Sequence, residues 1–454
     1  MEKYNSKYTH RTLMRVVIEA EGPLALGTGA KDIVTDSLVA LDVNGFPYIP
    51  GTSIAGVLRH AMVAQNENSD LWGYQGKKNN GHGSEIIFSE AKVLNSDSDV
   101  MDGLLTVEYD DEVLKAYENL PVRQHVKMGH RGVAEKRAKF DNQIVPAGSR
   151  FCFEVEVMHD GKNNTAEQIL GFMTSGGLRL GGGTRNGYGK MNVVDVRIAT
   201  LCLGDTNQLA KYLEKTSCLS NKAWWEDFSP IGPKTEAKKN DIYELHLTPR
   251  DFFLFGSGLS DLEQDADMAP VMASEIKWKD GKGHVSGEYH LIPATSVKGA
   301  IRHRVAYHYN KNKGFFADKI EGSIDKYKPS DNKAVRELFG HEGEADVNSR
   351  GRLLFSDVVL TKEFTDKLIN HVSIDRFTGG AIDGALFSEL ATYGNNTPLV
   401  MKIELEGEAS DDARDALENA LHDVCNSMLP LGGGVNRGNG MFTGKLTLNG
   451  KEIQ

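Results

Sequence analysis

YIPGTSIAGVLRHAM at 48–62 and LIPATSVKGAIRHRV at 291–305 are almost the same string, and their recurrence decides how the chain is organised. Seven identities fall in register, among them Pro50 with Pro293, Thr52 with Thr295, Ser53 with Ser296, Gly56 with Gly299, and Arg59-His60 with Arg302-His303. Working outward, DLWG (70–73) followed by EIIFSEAKVL (85–94) is answered by ELFG (337–340) followed by RLLFSDVVL (352–360). Later, LRLGGGTRNGYGKM (178–191) is answered by LPLGGGVNRGNGMF (429–442). Three motifs recurring in one order mark an internal duplication. The offsets run 243, 267 and 251 residues, so the insertions differ while the framework holds. Two domains follow, 1–235 and 236–454, joined in the polar stretch SPIGPKTEAKKND (229–241).

Length and composition agree with two sizeable cores. At 454 residues the chain exceeds what one hydrophobic core organises, and 40% hydrophobic with 25% charged residues is too apolar for general disorder. The start, MEKYNSKYTHRTLMRVV, lacks the apolar run of a signal peptide, and nowhere do about 18 apolar residues run together as a membrane helix requires. A cytoplasmic location and no membrane partner are therefore expected. The four cysteines are far apart, with no metal-binding or disulfide spacing. Net charge is −11, which counts against nucleic acid, yet RQHVKMGHRGVAEKRAKF (123–140) is a strongly basic stripe with a single Glu.

The local patterns give an α+β class. MRVVIEAEG (14–22) and YELHLTPRD (243–251) alternate as opening strands. After IPGTS, the spacing Ile54, Val57, Leu58, Met62 gives an apolar helix face with Thr52 or Ser53 as N-cap, repeated by Val297, Ile301 and Val305. FCFEVEV (151–157) and LVMKIELEG (399–407) read as strands, and DALENALHDVCNSM (415–428) as a helix with Leu417, Leu421, Val424 and Met428 on one stripe. Final strands follow at 191–198 and 441–448. The order strand, helix, strand, strand, helix, strand is the ferredoxin-like pattern, with helices covering one face of an antiparallel sheet.

Two features suit a phosphate backbone. The glycine loops carry Arg185-Asn186 and Asn436-Arg437, where backbone amides cradle anions and Arg adds charge-assisted bonds. A tight C-cap and turn accounts for one or two of those glycines, but not for an Arg/Asn pair in both loops. The IPxTS helix starts offer Thr52, Ser53, Thr295 and Ser296 with Arg59, Arg302 and Lys298 close by, though every helix needs a cap.

IPGTSIAGVLRH, LGGGTRNGYGKM and above all VSIDRFTGGAIDGALFSEL (372–390) closely resemble the RAMP superfamily of CRISPR systems, nearest the backbone subunits of type III RNA-guided effector complexes. The resemblance covers both halves, and two modules in one chain look like the tandem backbone proteins of the III-D variety. It implies a modified RNA-recognition core of ferredoxin-like form in each module, with an inserted hairpin "thumb". It also implies a guide RNA, a complementary target RNA and other CRISPR effector subunits as partners. The family's catalytic aspartate precedes the helix start in a D-S-P-V-like pattern, which Asp36-Ser37-Leu38-Val39 matches, with Asp32 as the neighbouring alternative. In the second copy Asp267 fits best, with Asp265 beside it, although one residue is inserted. Turn residues would account for all four, since Asp favours loops. For the thumbs, the second copy offers Asp375, Arg376 and Phe377, and the first the more basic His125, Lys127, His130 and Arg131. A divalent ion such as Mg2+ is implied for cleavage, although no metal cage is recognisable in the sequence. Three readings stay open: a target-cleaving backbone subunit, the same scaffold without cleavage, and a guide-processing ribonuclease with a His-centred site.

Overall fold

Strand β1 (His10–Ala20), rich in branched residues, is the centre of the first half, and everything else in that half is arranged around it. In this computed structural model, residues 8–29, 32, 35–63, 69–75, 81–105, 110–129, 132–162, 164–231, 240–260, 266–316, 318, 332–341, 349–361 and 364–453 are described. Helix α1 (Gly51–Val63) follows, then short strands β2 (Ile86–Phe88) and β3 (Ala91–Val93). Next come a hairpin of β4 (Val122–Met128) and β5 (Ala134–Gln143), then β6 (Arg150–His159), helix α2 (Thr165–Thr174) and β7 (Met191–Cys202). β1 lies between β7 and β6, all antiparallel, with Met14 opposite both Ile198 and Val155; β2 and β3 pair with the far edge of β6.

The second half repeats the scheme. It runs β8 (Asp241–Pro249), α3 (Ala294–Asn312), β9 (Leu353–Phe355), a hairpin of β10 (Thr365–Ile374) and β11 (Ala381–Tyr393), β12 (Leu399–Leu405), α4 (Asp411–Cys425) and β13 (Phe442–Leu448). β8 again sits at the centre, with Leu245 opposite Met401 on one side and Leu446 on the other, and β9 flanks β12.

Each half has its own core. Met14, Val16, Ile18, Ile54, Leu58, Phe151 and Phe153 are fully buried in one, and Tyr243, Leu245, Ile301, Phe355, Leu417 and Leu421 in the other. On α4 the buried positions Ala413, Ala416, Leu417, Ala420, Leu421 and Val424 form a single stripe facing the sheet. Met428 is not on it. The helix ends at Cys425, Ser427 takes a left-handed φ of 59°, and Met428 is left exposed. β1 is buried almost continuously, whereas β8 alternates. The cause is residues 206–226, whose Trp225 covers Leu13, Ala199 and Leu201 on the outer face of the first sheet. Among the described residues no helix is long and apolar enough to cross a membrane. The proposed join contains residues 232–239, which lie outside the described residues, as do His130, Arg131 and Asp265.

The caps differ from expectation. α1 begins at Gly51 and α3 at Ala294, with Pro293 in the N-cap position and no side chain capping α3. Thr52, Ser53, Thr295 and Ser296 therefore stand inside the first turn, because the proline carbonyls already accept the first helical amides, Ser53 and Ser296 (2.9 and 3.1 Å).

Candidate RNA-binding and cleavage sites

The two hairpins bring the chosen aspartates to equivalent places. The Asp36 amide donates to Asp141 Oδ1 (2.7 Å) and the Asp141 amide returns a longer bond to Asp36 Oδ2 (3.3 Å). In the other half the Asp267 amide donates to Ser388 Oγ (3.1 Å), while the Ser388 amide (2.8 Å) and hydroxyl (3.2 Å) donate to Asp267 Oδ2. The next residues form the same parallel bridges, Ser37 with Asn142 and Met268 with Glu389. Each aspartate thus fastens its loop to the edge of the hairpin's second strand, and both are exposed. Asp32 instead closes its own turn, its carboxylate accepting the Thr35 amide (2.9 Å). Asp141 and Ser388 were not legible as partners: the only trace is a Phe before each, in KFDN (139–142) and LFSE (386–389).

That Phe has a matching partner on the first hairpin strand. His125 stacks on Phe140 with centroids 5.0 Å apart and planes 24° off parallel, and His371 stacks on Phe387 at 4.8 Å and 22°. The glycine loops reach both pairs. Tyr188 Oη lies 3.1 Å from His125 Nε2. Burial and the Arg123 charge hold the imidazole's pKa below its ordinary value. In the second half a fully buried Glu389 lies 3.1 Å from His371 Nε2 and accepts from Arg437 and from Asn439 Nδ2 (3.2 Å).

Gly182 and Gly433 donate to Ala25 O and Leu254 O (2.8 and 2.7 Å), and Gly189 and Gly440 to Pro23 O and Phe252 O (2.9 and 2.8 Å). Those four amides are committed to the fold. Asn436 and Arg437 are exposed, whereas Arg185 and Asn186 are partly covered by the second half.

The covering surface is the start of α3. Lys298 Nζ donates to Asn186 Oδ1 (2.8 Å), and Arg185 pairs with Glu406. Arg123 Nη1 and the Ala294 amide both donate to Asp357 (2.7 and 2.8 Å), and His303 Nε2 donates to Met128 O (3.3 Å). His303 thereby makes a contact between the two halves. Burial, then the Arg185 and Arg302 charges, push the Lys298 ammonium down to about 8. Burial also works against the charge of Arg302 and Arg185, whose buried Nε and Nη1 have no hydrogen-bond partner among the described residues. Here the fold gathers three cations, with Glu406 paired to Arg185 and the Glu135 charge favouring that of Arg302.

The remaining candidates have simpler surroundings. Thr52, Ser53, Arg59 and Ser296 are exposed, Thr295 is half-buried, and Lys127 pairs with Glu135 (2.7 Å). Asp375 Oδ1 accepts from the Phe377 and Thr378 amides (2.9 and 2.8 Å) and from Thr378 Oγ1 (3.0 Å), bonds that hold its pKa below the usual value. It builds the turn that leaves Phe377 90% exposed beside Arg376. Among the described residues no three His, Cys, Asp or Glu side chains converge on a metal-sized point.

No curated protein matches the chain. The family model of the RAMP superfamily matches residues 17–192 and 233–443, one stretch in each half. Both halves of the duplicated framework are covered by that match, and the chain belongs to the RAMP superfamily.

Proposed function

We propose that the chain is a tandem backbone subunit of a type III, III-D-like CRISPR ribonucleoprotein. Its two ferredoxin-like modules, 1–235 and 236–454, hold the guide RNA while their thumb hairpins engage complementary target RNA. The single observation that carries the reading is the cluster of Arg185, Lys298 and Arg302 at the seam between the modules. An RNA phosphate placed alongside adds countercharge to that cluster. Such contacts read backbone, not sequence, which leaves specificity to base pairing with the guide.

Target cleavage is assigned to Asp36 and Asp267. Each stands exposed at a hairpin foot, where a carboxylate takes the proton of a ribose 2′-hydroxyl attacking the adjacent phosphate; a 2′,3′-cyclic phosphate forms as the bond to the 5′-oxygen breaks, and that oxygen leaves with a proton from water. Mg2+ is characteristically bound through one or two carboxylates with its waters retained, which fits Asp36 with Asp141. When bound, the ion supplies Lewis-acid stabilisation of the phosphate. Module two has Ser388 in place of Asp141, and Asp267 Oδ2 already accepts two bonds. That arrangement favours a second reading for module two alone, a binding scaffold without cleavage.

The test is RNA affinity against salt. Lys298→Met with Arg302→Met should weaken binding to unrelated RNA sequences alike and make the logarithmic salt slope shallower by about 1.4, two single-strand phosphate contacts. Unchanged affinity and slope would remove the assignment.

A further inference from the structure

We propose that residues 206–226 are a terminating cap: they fill on module one the seat that module one's own glycine loop fills on module two, so that a second copy of the chain cannot add there.

The seat on module two is the outer face of β12, where Lys402 and Glu404 alternate with the core residues Met401, Ile403 and Leu405. Glu404 accepts from Arg179 Nη2 (3.1 Å) and Lys190 Nζ (3.2 Å), which flank the glycine loop of module one. Its counterpart in module one follows from the backbone. Gly189 and Gly440 bond to Pro23 O and Phe252 O, and counting back equally along the opening strands makes Met14 the counterpart of Tyr243. Val155 lies opposite Met14 and Ile403 opposite Tyr243, so the next residue on β6, Glu156, corresponds to Glu404. β6 also alternates core residues with outward ones there. Glu156 accepts from Tyr212 Oη (2.8 Å) and pairs with Arg11 Nε (3.0 Å). Beside it, Glu154 accepts from Lys215 and from Trp225 Nε1 (2.9 Å), while Trp225 closes over Leu13, Ala199 and Leu201. Side chains of 206–226 thus hold both acids of that face. Two like modules packed head to tail make a heterologous contact, which repeats into a ring or filament unless one of its faces is closed or altered. Here both devices occur. The cap closes the acceptor face of module one, and the glycine loop of module two has Pro430 and Met441 where module one has Arg179 and Lys190.

The experiment is sedimentation velocity of the RNA-free chain over a range of concentrations. The wild type should run as one chain. So should Pro430→Arg with Met441→Lys, which gives module two the loop cations while the cap stays closed. Adding Tyr212→Ala, Lys215→Ala and Trp225→Ala unlatches the cap, and hydrogen exchange should then show the 206–226 amides deprotected, with thermal unfolding as the check on the remaining fold. That chain should self-associate, its weight-average mass passing about twice that of one chain, because each added copy presents a fresh loop. Glu156→Lys in the same background should return it to one chain. A folded unlatched chain that stays single overturns the cap, as do association that Glu156→Lys leaves unchanged and 206–226 amides that stay protected. The capped chain with Pro430→Arg and Met441→Lys needs no loosened fold, and its association alone would also overturn the cap.

Discussion

Gly187 and Gly438 occupy the same place in the two glycine loops, at φ +94° and +96°, and differ in what faces them. A Cβ at Gly187 would come 2.7 Å from Ala294 Cβ and 3.0 Å from Asp357 Oδ1, whereas nothing lies within 4 Å of one at Gly438. Alanine at either position meets left-handed strain of about 1–2 kcal/mol. Gly187→Ala adds overpacking at the seam and should be about 1–3 kcal/mol worse than Gly438→Ala in chemical denaturation. Lys298 gives a prediction in pH. Its folded value of about 8 lies below the ordinary 10.5, so the unfolded chain binds more protons between those values and the free chain gains stability as pH rises through them. A bound phosphate reverses the sense, because it favours the ammonium. RNA affinity should be level below about pH 8 and fall above it, and Lys298→Arg should flatten that fall. Titrations of binding at several pH values check both statements.

At the scale of elements, the repeat was legible because helix and strand periods survive divergence. Ile54, Leu58 and Met62 face one core as Val297, Ile301 and Val305 face the other. Cap chemistry was not legible in the same way, since Pro50 and Pro293 set the helix starts that the hydroxyls of Thr52 and Ser53 had seemed to set. Asp36 and Asp267 could be matched along the chain, but Asp141 and Ser388 could not. Their pairing is made by backbone running alongside a hairpin more than a hundred residues away. The hairpin tips also had a hidden division of labour. Asp375 shapes the turn that Phe377 decorates, so Asp375→Ala should raise amide exchange at Phe377 and Thr378, while Phe377→Ala leaves the turn protected. Hydrogen exchange at those two amides separates the roles.

For the whole molecule, two modules were legible but the seam was not, because Arg123 and Lys298, which help to form it, have no basic counterpart in the other copy. Arg123 aligns with Ile369 by hairpin register, and Lys298 aligns with Ala55. Asp357 is the seam's key acid, 7% exposed and shared between Arg123 and the Ala294 amide. Asp357→Ala strands a buried guanidinium and should cost about 3–5 kcal/mol, read by denaturation of the chain. The duplicated design makes its sharpest statement about cleavage. Among the described residues the two hairpin feet share no side-chain hydrogen bond, and sites without common partners act additively. The decisive measurement is the map of cut positions in complementary RNA by the guide-loaded complex carrying the wild-type chain, Asp36→Ala, Asp267→Ala or both. The account predicts two cuts for the wild type, the loss of one in each single variant and of both in the double variant, with target binding retained throughout. Two cuts persisting in the double variant would contradict it.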